Sequence, residues 1–463
     1  MNKYQTLAAN TALISIGTFG SKVLVFLMVR FYTGYLTPAE YGTADLITQT
    51  ANLLIPLVSL DVTEGVFRFA ADRREQRADA FSAGVYTVIF GAAALILALP
   101  LLRVLAGSRQ FGLLLAAFII AACAHALCAQ FILAEGHTTL YAVQGLFNTA
   151  LYIALNVLFL TVFHWGVMGY LLSTVVADLM SALFLTCKEK LWRQFRLSPS
   201  SVLWRKMLTY CVPLIPAAIF WWIMGVSDRY MVRAYLGSEA NGIYAVAYKN
   251  PTILTILATV FMDAWQLSAI AESGDRRAHL RFYSRVWDAF FSAVYLCAGG
   301  IIAFSPLLIR LLAAESYYEA WRYIPVLTLS MIAAAFSNFM GSVYVVTKKS
   351  TASLWTSLFG AAANIALNLI LIPRIGVQGA AVATFLGCLL VFLVRTVSAR
   401  QLLPFALSGG KLALGALALL VQTAAMLLRP HGWLIAQGVC LIVLVLLALR
   451  PMLAAAQTVF QRK

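Results

Sequence analysis

GLLLAAFIIAACAHALCAQFILA, residues 112–134, decides the fold class: it holds no Asp, Glu, Lys or Arg and is closed by Glu135-Gly136. A helix rises about 1.5 Å per residue, so roughly 20 such residues cross the ~30 Å hydrocarbon core of a bilayer. Helices also satisfy their own backbone N–H and C=O groups, which lipid cannot do. The same reading extends in both directions along the chain. Apolar runs near 8–32, 43–69, 80–105, 112–134, 139–163, 166–187, 207–234, 241–270, 283–310, 322–346, 351–373, 376–399, 410–428 and 432–455 predict about 14 transmembrane helices. Thr37-Pro38, Gly107-Ser108, Gly237-Ser238, Pro373-Arg374 and Arg429-Pro430 punctuate them.

Composition agrees with an all-α polytopic membrane protein. Hydrophobic residues make up 62% of the 463 and charged residues 11%, against about 45–50% and about 25% in soluble domains. The spans leave only short connections, so no folded extramembrane domain is expected. The net charge of +16 lies mainly in short loops, where anionic headgroups and topology account for it and nucleic acid does not. The seven cysteines are scattered without a CxxC pair, and the five histidines show no metal-ligand spacing. HExxH, GxSxG and phosphate-loop motifs are absent from the sequence. The run Leu7 to Tyr32, interrupted by Lys22, reads as a first span and not as a cleaved signal.

Loop charge sets the expected orientation. With the N-terminus inside, most Lys and Arg, including Arg73, Arg74, Arg77, Lys188, Lys190, Arg193, Arg395, Arg400 and Lys411, fall on cytoplasmic loops and helix ends. Far fewer, Arg310, Arg322, Arg374 and Arg429 among them, fall outside. Both termini are expected in the cytoplasm.

The basic connection 188–206 divides the first twelve spans into six and six. Short matches recur across it: Tyr35-Leu36 with Gly42 and Tyr235-Leu236 with Gly242; Ile153-Ala-Leu-Asn156 and Ile365-Ala-Leu-Asn368; Gly166-Val-Met-Gly169 and Gly376-Val-Gln-Gly379. These predict parallel lobes 1–187 and 207–400 related by a pseudo-two-fold axis, joined by a cytoplasmic basic linker and followed by two extra helices in 401–463.

Ionisable groups inside spans are costly and need a partner, water or a role. Lys22, Phe26 and Arg30 share one side of the first span, and Lys22 is the leading anion contact. Asp61, Glu64 and Arg68, at i, i+3 and i+7, predict one face of the second span, as an inner-gate ion network or as a substrate or ion site. Asp228 and Arg229 point about 100° apart, so Asp228 needs a partner elsewhere; Arg233 follows one turn on, and Trp221, Gly225 and Asp228 share a face. Lys249 and Asp263, fourteen residues apart on one helix, predict a polar stripe about 21 Å long. Asp178, Asn156, Asn364 and Asn368 suit interhelical hydrogen bonds. Acids and bases nearly balance within the spans, which leaves the sign of a cavity open.

Phe19-Gly-Ser-Lys22, the run Phe31 to Gly42 with Asp45-Leu46, Pro213-Leu-Ile-Pro216, Trp221-Trp222, Ser227-Asp-Arg229, Gly242 to Ala247, Lys249, Ala264-Trp-Gln266 and Asn364 to Gly379 together resemble the bacterial lipopolysaccharide and polysaccharide (O-antigen type) flippases. These belong to the multidrug/oligosaccharidyl-lipid/polysaccharide exporter superfamily, and the resemblance covers at least the first twelve spans. It implies a central cavity that opens alternately to each side of the bacterial inner membrane. It further implies movement of undecaprenyl-diphosphate-linked oligosaccharide to the outer leaflet, with basic residues facing the diphosphate. By position, Lys22, Arg30, Arg229 and Lys249 match that set, Arg68 and Arg233 less closely, while Asp61, Glu64, Arg68, Asp228 and Asp263 are expected in coupling or gating. Expected partners are the lipid-linked glycan, membrane lipids, and a polysaccharide polymerase with its export machinery; no cofactor is expected beyond a coupling proton or sodium ion. A drug or metabolite exporter of the same superfamily is the alternative, and would suit an acidic cavity. A membrane glycosyltransferase, ligase or polymerase is disfavoured by the short outer connections.

Overall fold

Thr37 shows how the sequence starts a helix. Its backbone N–H donates to Glu40 Oε2 at 2.9 Å and its Oγ1 accepts from Glu40 N at 3.3 Å, a capping box with Pro38 as first helical residue. In the computed structural model, which describes residues 20–72, 76–105, 109–271, 276–346 and 350–460, such elements follow one another in a chain of helices. In the first part, residues 20–27 are helical and are continued by α1 Val29–Tyr35, α2 Pro38–Val58, α3 Val62–Asp72, α4 Arg77–Leu97, α5 Leu99–Leu105, α6 Arg109–Ala134, α7 Thr138–Val157 with a π-helical turn Leu158–Val162, α8 Gly166–Glu189 and α9 Ser201–Cys211. Then come α10 Ile215–Lys249, α11 Thr252–Ala271, α12 Arg276–Ala303, α13 Ser305–Leu312, α14 Ile324–Val346, α15 Ser350–Ile375, α16 Val377–Leu402, α17 Gly409–Leu428 and α18 Trp433–Phe460. This is an all-helical membrane protein. Eleven helical stretches among the described residues are long and apolar enough to cross a bilayer.

The other three predicted spans differ for local reasons. The first begins in residues 1–19, outside the described residues. The second is broken: Leu60 and Asp61 adopt positive φ of 49° and 53°, so α2 stops and α3 restarts. In the eighth, α10 ends at Lys249 and α11 starts at Thr252, because Pro251 has no N–H to continue the helical ladder. The expected Lys249–Asp263 stripe therefore does not run along one continuous helix; the Asp263 side chain lies outside the described residues. Gly237, at φ 90° inside α10, likewise marks a break, in a conformation that favours glycine.

The chain forms two compact units, Met1–Trp222 and Ile223–Lys463. In the first, α6 packs against α2, α3, α4 and α8, and Leu115, Ile119, Cys123, Phe131 and Ile132 are fully buried. Lipid tails are as apolar as leucine, so these helices associate by close packing and not by escape from water. Gly91 shows how close: a Cβ there would overlap the Val58 carbonyl oxygen. The basic stretch 188–206 is folded onto α4. Arg196 pairs with Asp79 at 3.2 Å, Tyr86 Oη donates to the Leu197 carbonyl at 2.9 Å, and Trp204 Nε1 donates to Thr87 Oγ1 at 2.9 Å. Near the ends of α6, α7 and α8, Arg77 lies 3.8 Å from Glu135 and His137 lies 3.4 Å from Glu189. Burial raises the Glu135 carboxyl above its ordinary range, opposed by His137 and Arg77 and reinforced by Glu189.

In the second unit α14 packs on α16, α12 and α11. Its core is aromatic: Trp287 lies 5.0 Å from both Phe336 and Phe339, and Phe290 lies 5.4 Å from Phe339. Tilted and edge-on rings of this kind add specific attraction to plain contact. Residues 38–50 and 238–250 carry the same order of buried, half-buried and exposed positions, so the repeat read from Tyr35-Leu36 and Tyr235-Leu236 extends to packing.

Candidate functional site

The first unit presents its cations on the opening helix. Lys22 and Arg30 are exposed and Phe26 is half-buried. Met28 N bonds to Leu24 O at 3.1 Å and Tyr32 N to Met28 O at 2.9 Å, so the ladder carries through Met28 and the i, i+8 relation of Lys22 to Arg30 survives. Tyr32 anchors this helix from its buried side, with ring centroids 5.0 Å from Tyr170 and 6.3 Å from Tyr152.

Asp61, Glu64 and Arg68 do not form the expected ion network. The positive φ of Asp61 places it at the break before α3, where its N–H bonds to Pro56 O at 3.1 Å; the i, i+3, i+7 spacing assumed an unbroken helix. Arg68 lies with its Cζ 4.5 Å from the centroid of Tyr210 on α9, and among the described residues no ion pair joins it to either acid.

The second unit gathers the densest polar cluster within the spans. Asp228 is 1% exposed, and its missing partner is found three times over: Oδ2 accepts from Tyr244 Oη at 2.6 Å and from Thr384 Oγ1 at 3.1 Å, while Oδ1 accepts from Arg229 N at 2.9 Å. Asn364 extends the cluster. Its Oδ1 accepts from Ser227 Oγ at 3.3 Å and Asn368 Nδ2 at 3.0 Å, and its Nδ2 donates to Thr384 Oγ1 at 3.4 Å. Asn368 Oδ1 is buried without a hydrogen-bond partner. The break in α10 is what makes this possible, because it lets Tyr244 fold back towards Asp228 on the same element. One carboxylate among hydroxyl and amide oxygens is a setting that takes up a proton or a hard cation such as sodium. Arg229 is buried, its guanidinium 4.8 Å from the centroid of Tyr248, and Lys249 is half-buried. Trp221's side chain lies outside the described residues, so the face expected for Trp221, Gly225 and Asp228 is represented by Gly225 and Asp228 alone.

Two further polar clusters escaped the sequence reading. In the first unit, His125 on α6 sets Nδ1 2.9 Å from Asp178 Oδ1 and Nε2 2.8 Å from Gln144 Oε1, and Asn148 Nδ2 donates to Asp178 Oδ1 at 3.0 Å. Asp178 thus takes the interhelical role expected of it; Asn156, by contrast, donates within its own helix to Tyr152 O at 2.8 Å. In the second unit, Arg395 is not the cytoplasmic helix-end residue of the charge count. It is 1% exposed and donates to Thr356 Oγ1 at 3.0 Å, Ser357 Oγ at 2.9 Å and Ser337 O at 3.1 Å, tying α16 to α15 and α14. The one sequence signal for either cluster is a lone polar residue in an apolar run. Among the described residues no group of three or more His, Cys, Asp or Glu is placed to hold a metal ion.

The fold is that of the lipid flippases and multidrug transporters. The chain is similar to the lipid II flippase MurJ in an inward closed conformation, with a TM-score of 0.68 at 13% identity, covering 97% of this chain and 100% of that one. An inward-facing MATE family multidrug resistance transporter of the MOP superfamily gives a TM-score of 0.67 at 14% identity over 83% of this chain and 94% of that one. A MOP superfamily transporter from Pyrococcus furiosus, described as having a binding pocket of reverse polarity, gives 0.57 at 14% identity over 84% and 94%. No curated protein matches the chain. The profile of the polysaccharide biosynthesis protein family matches residues 7–265, more than half of the sequence, and the chain belongs to that family.

Proposed function

We propose that this protein is an alternating-access flippase that carries undecaprenyl-diphosphate-linked oligosaccharide, the repeat unit of a cell-surface polysaccharide, from the cytoplasmic to the outer leaflet of the bacterial inner membrane. The observation that carries this reading is the extent of the family match. Residues 7–265 contain all four cations assigned to the diphosphate: Lys22, Arg30, Arg229 and Lys249.

The chemistry follows from what the substrate must leave behind. A diphosphate taken out of water loses strong hydration and needs fixed cations with N–H donors to offset it. The polyprenyl tail is already at home in lipid and stays there. Lys22 and Arg30, exposed on the opening helix, suit first capture of the headgroup. Asp228, with its ring of hydroxyl and amide oxygens, suits the binding of a coupling proton or sodium ion, and Asp61, Glu64, Arg68 and Asp263 are the further gating or coupling groups. The likeness to MurJ and to MATE transporters is almost equal in TM-score and does not choose between lipid-linked sugar and a small cationic drug; the basic set inside the family match favours the anion.

The test is headgroup translocation in proteoliposomes with purified lipid-linked oligosaccharide. Lys22→Ala should cut flipping at unchanged protein abundance, and Lys22→Arg should keep more activity because charge is what the diphosphate needs. Wild-type rates in Lys22→Ala and in Arg229→Ala/Lys249→Ala would overturn the assignment.

A further inference from the structure

At one end of the second unit, three connections enclose an open cavity of about 650 Å³. They are the 3-10 segment Glu315–Arg322, the turn between α15 and α16, and the turn after α17. Arg429 dominates it. The guanidinium lies 4.2 Å from the ring centroid of Trp321 and 5.2 Å from that of Trp433. Among the described residues no carboxylate lies within ion-pair distance of Arg429. The one acid nearby, Glu319, pairs with Arg322 at 3.0 Å, and Arg322 also lines the cavity. Two guanidinium groups thus share one carboxylate, and the cavity carries a net positive charge.

The backbone at Arg429 is held in a costly shape. As the C-cap of α17 it has φ 45°, the left-handed region where glycine is the usual solution and other residues pay about 1–2 kcal/mol. An arginine kept at such a position, with its side chain fixed by two indoles, is arranged for recognition more than for ending a helix. The rim supplies the second half of the recognition. Ile375 and Leu428 line the same cavity and are 50% and 80% exposed. A cationic, aromatic pocket opening between bare aliphatic side chains matches an amphiphile with an anionic head and an apolar tail. Guanidinium forks and the Gln378 amide, which also lines the cavity, suit the several oxygens of a phosphate ester. A volume of this size admits a headgroup and not a single ion.

We propose that this cavity binds the phosphate-bearing headgroup of a lipid, with Arg429, held between Trp321 and Trp433, as its principal contact. The proposal does not rest on the flippase reading: it concerns one end of the second unit, away from the four cations assigned to the diphosphate. Two lipids offer the required chemistry, a phospholipid of the bilayer and a polyprenyl diphosphate.

Native mass spectrometry of the full chain in detergent tests it, with phosphatidylglycerol and farnesyl diphosphate as probes and diacylglycerol as the phosphate-free control. The wild type should retain at least one phosphate-bearing probe and bind diacylglycerol weakly. Arg429→Gln should raise the Kd for that probe roughly tenfold, the worth of one charge-assisted contact. Arg429→Lys should fall between, since it keeps the charge but loses the flat face against the indoles. Retention of phosphatidylglycerol alone would identify a bilayer lipid; displacement of it by farnesyl diphosphate would identify the polyprenyl headgroup. Lys22→Ala should leave this binding unchanged, which separates it from the transport site. Equal binding of both phosphate probes by the wild type, Arg429→Gln and Arg322→Gln, or equal binding of diacylglycerol, would overturn the proposal.

Discussion

Replacing Asp228 by asparagine removes a charge while keeping the shape of the side chain, which isolates what the carboxylate does. In the native cluster its two oxygens accept from Tyr244, Thr384 and the Arg229 backbone N–H at 2.6, 3.1 and 2.9 Å. An amide has one accepting oxygen, so at least one of these contacts must be lost or reversed. Hydrogen bonds to a charged acceptor are worth about 1.5–3 kcal/mol and neutral ones about 0.5–1.5. The difference for the contacts that remain, with one lost, comes to about 1–3 kcal/mol. At roughly 2–4 °C per kcal/mol for a unit of this size, Asp228→Asn should melt roughly 2–12 °C lower in detergent. Tyr244→Phe removes the shortest contact alone, and in a double-mutant cycle with Asp228→Asn the two effects should fall short of additivity by about 1 kcal/mol. Transport in proteoliposomes supplies the functional half: the sodium or pH dependence of flipping should be weakened or lost. If Asp228→Asn melts within a degree of the wild type and keeps its ion dependence, the carboxylate is not a charged acceptor in this cluster and the coupling role assigned to it falls.

Other outcomes follow from single contacts. Arg395→Ala strands the Thr356 and Ser357 hydroxyls and the Ser337 carbonyl, a loss of the order of 3 kcal/mol or more, and should appear as a collapse of the monodisperse peak on size-exclusion chromatography. Arg395→Lys should not restore it, because a point charge cannot replace a planar fork with three separate partners. Gly91→Leu should force α4 away from the Val58 carbonyl of α2 and cost about 1–3 kcal/mol, read as a lower melting temperature with little change in the second unit. For Glu135, whose folded carboxyl is raised, the folded state holds the proton more tightly than the unfolded state. Its contribution to stability therefore falls as pH rises from the ordinary carboxylate range through the raised value. Glu135→Gln should remove that dependence, so that the variant gains on the wild type at neutral pH and the gain fades towards pH 4 in melting curves; a gain that grows on acidification would refute the assignment.

The sequence by itself determined that this chain lives in a bilayer, and nearly where each helix lies, because a backbone in hydrocarbon has no choice but to be helical and its side chains no choice but to be apolar. It also singled out Lys22, Arg30, Asp228 and Arg229, since an ionisable residue in an apolar run is conspicuous without any knowledge of its neighbours. Continuity was what the apolar pattern hid. Leu60-Asp61 and Asn250-Pro251 interrupt helices whose side chains remain apolar on both sides, so the faces drawn through Asp61, Glu64 and Arg68, or through Lys249 and Asp263, were drawn on helices that stop. Partnership was decided by tertiary structure alone. Asp228 meets Thr384 across 156 positions and His125 meets Asp178 across 53, and no local period encodes such distances. Arg395 makes the point most sharply: in sequence it is one more cation near a helix end, and only the packing of α16 against α14 and α15 turns it into a buried tie, because it is the neighbouring hydroxyls and carbonyl, and not its own position along the helix, that make its charge bearable there.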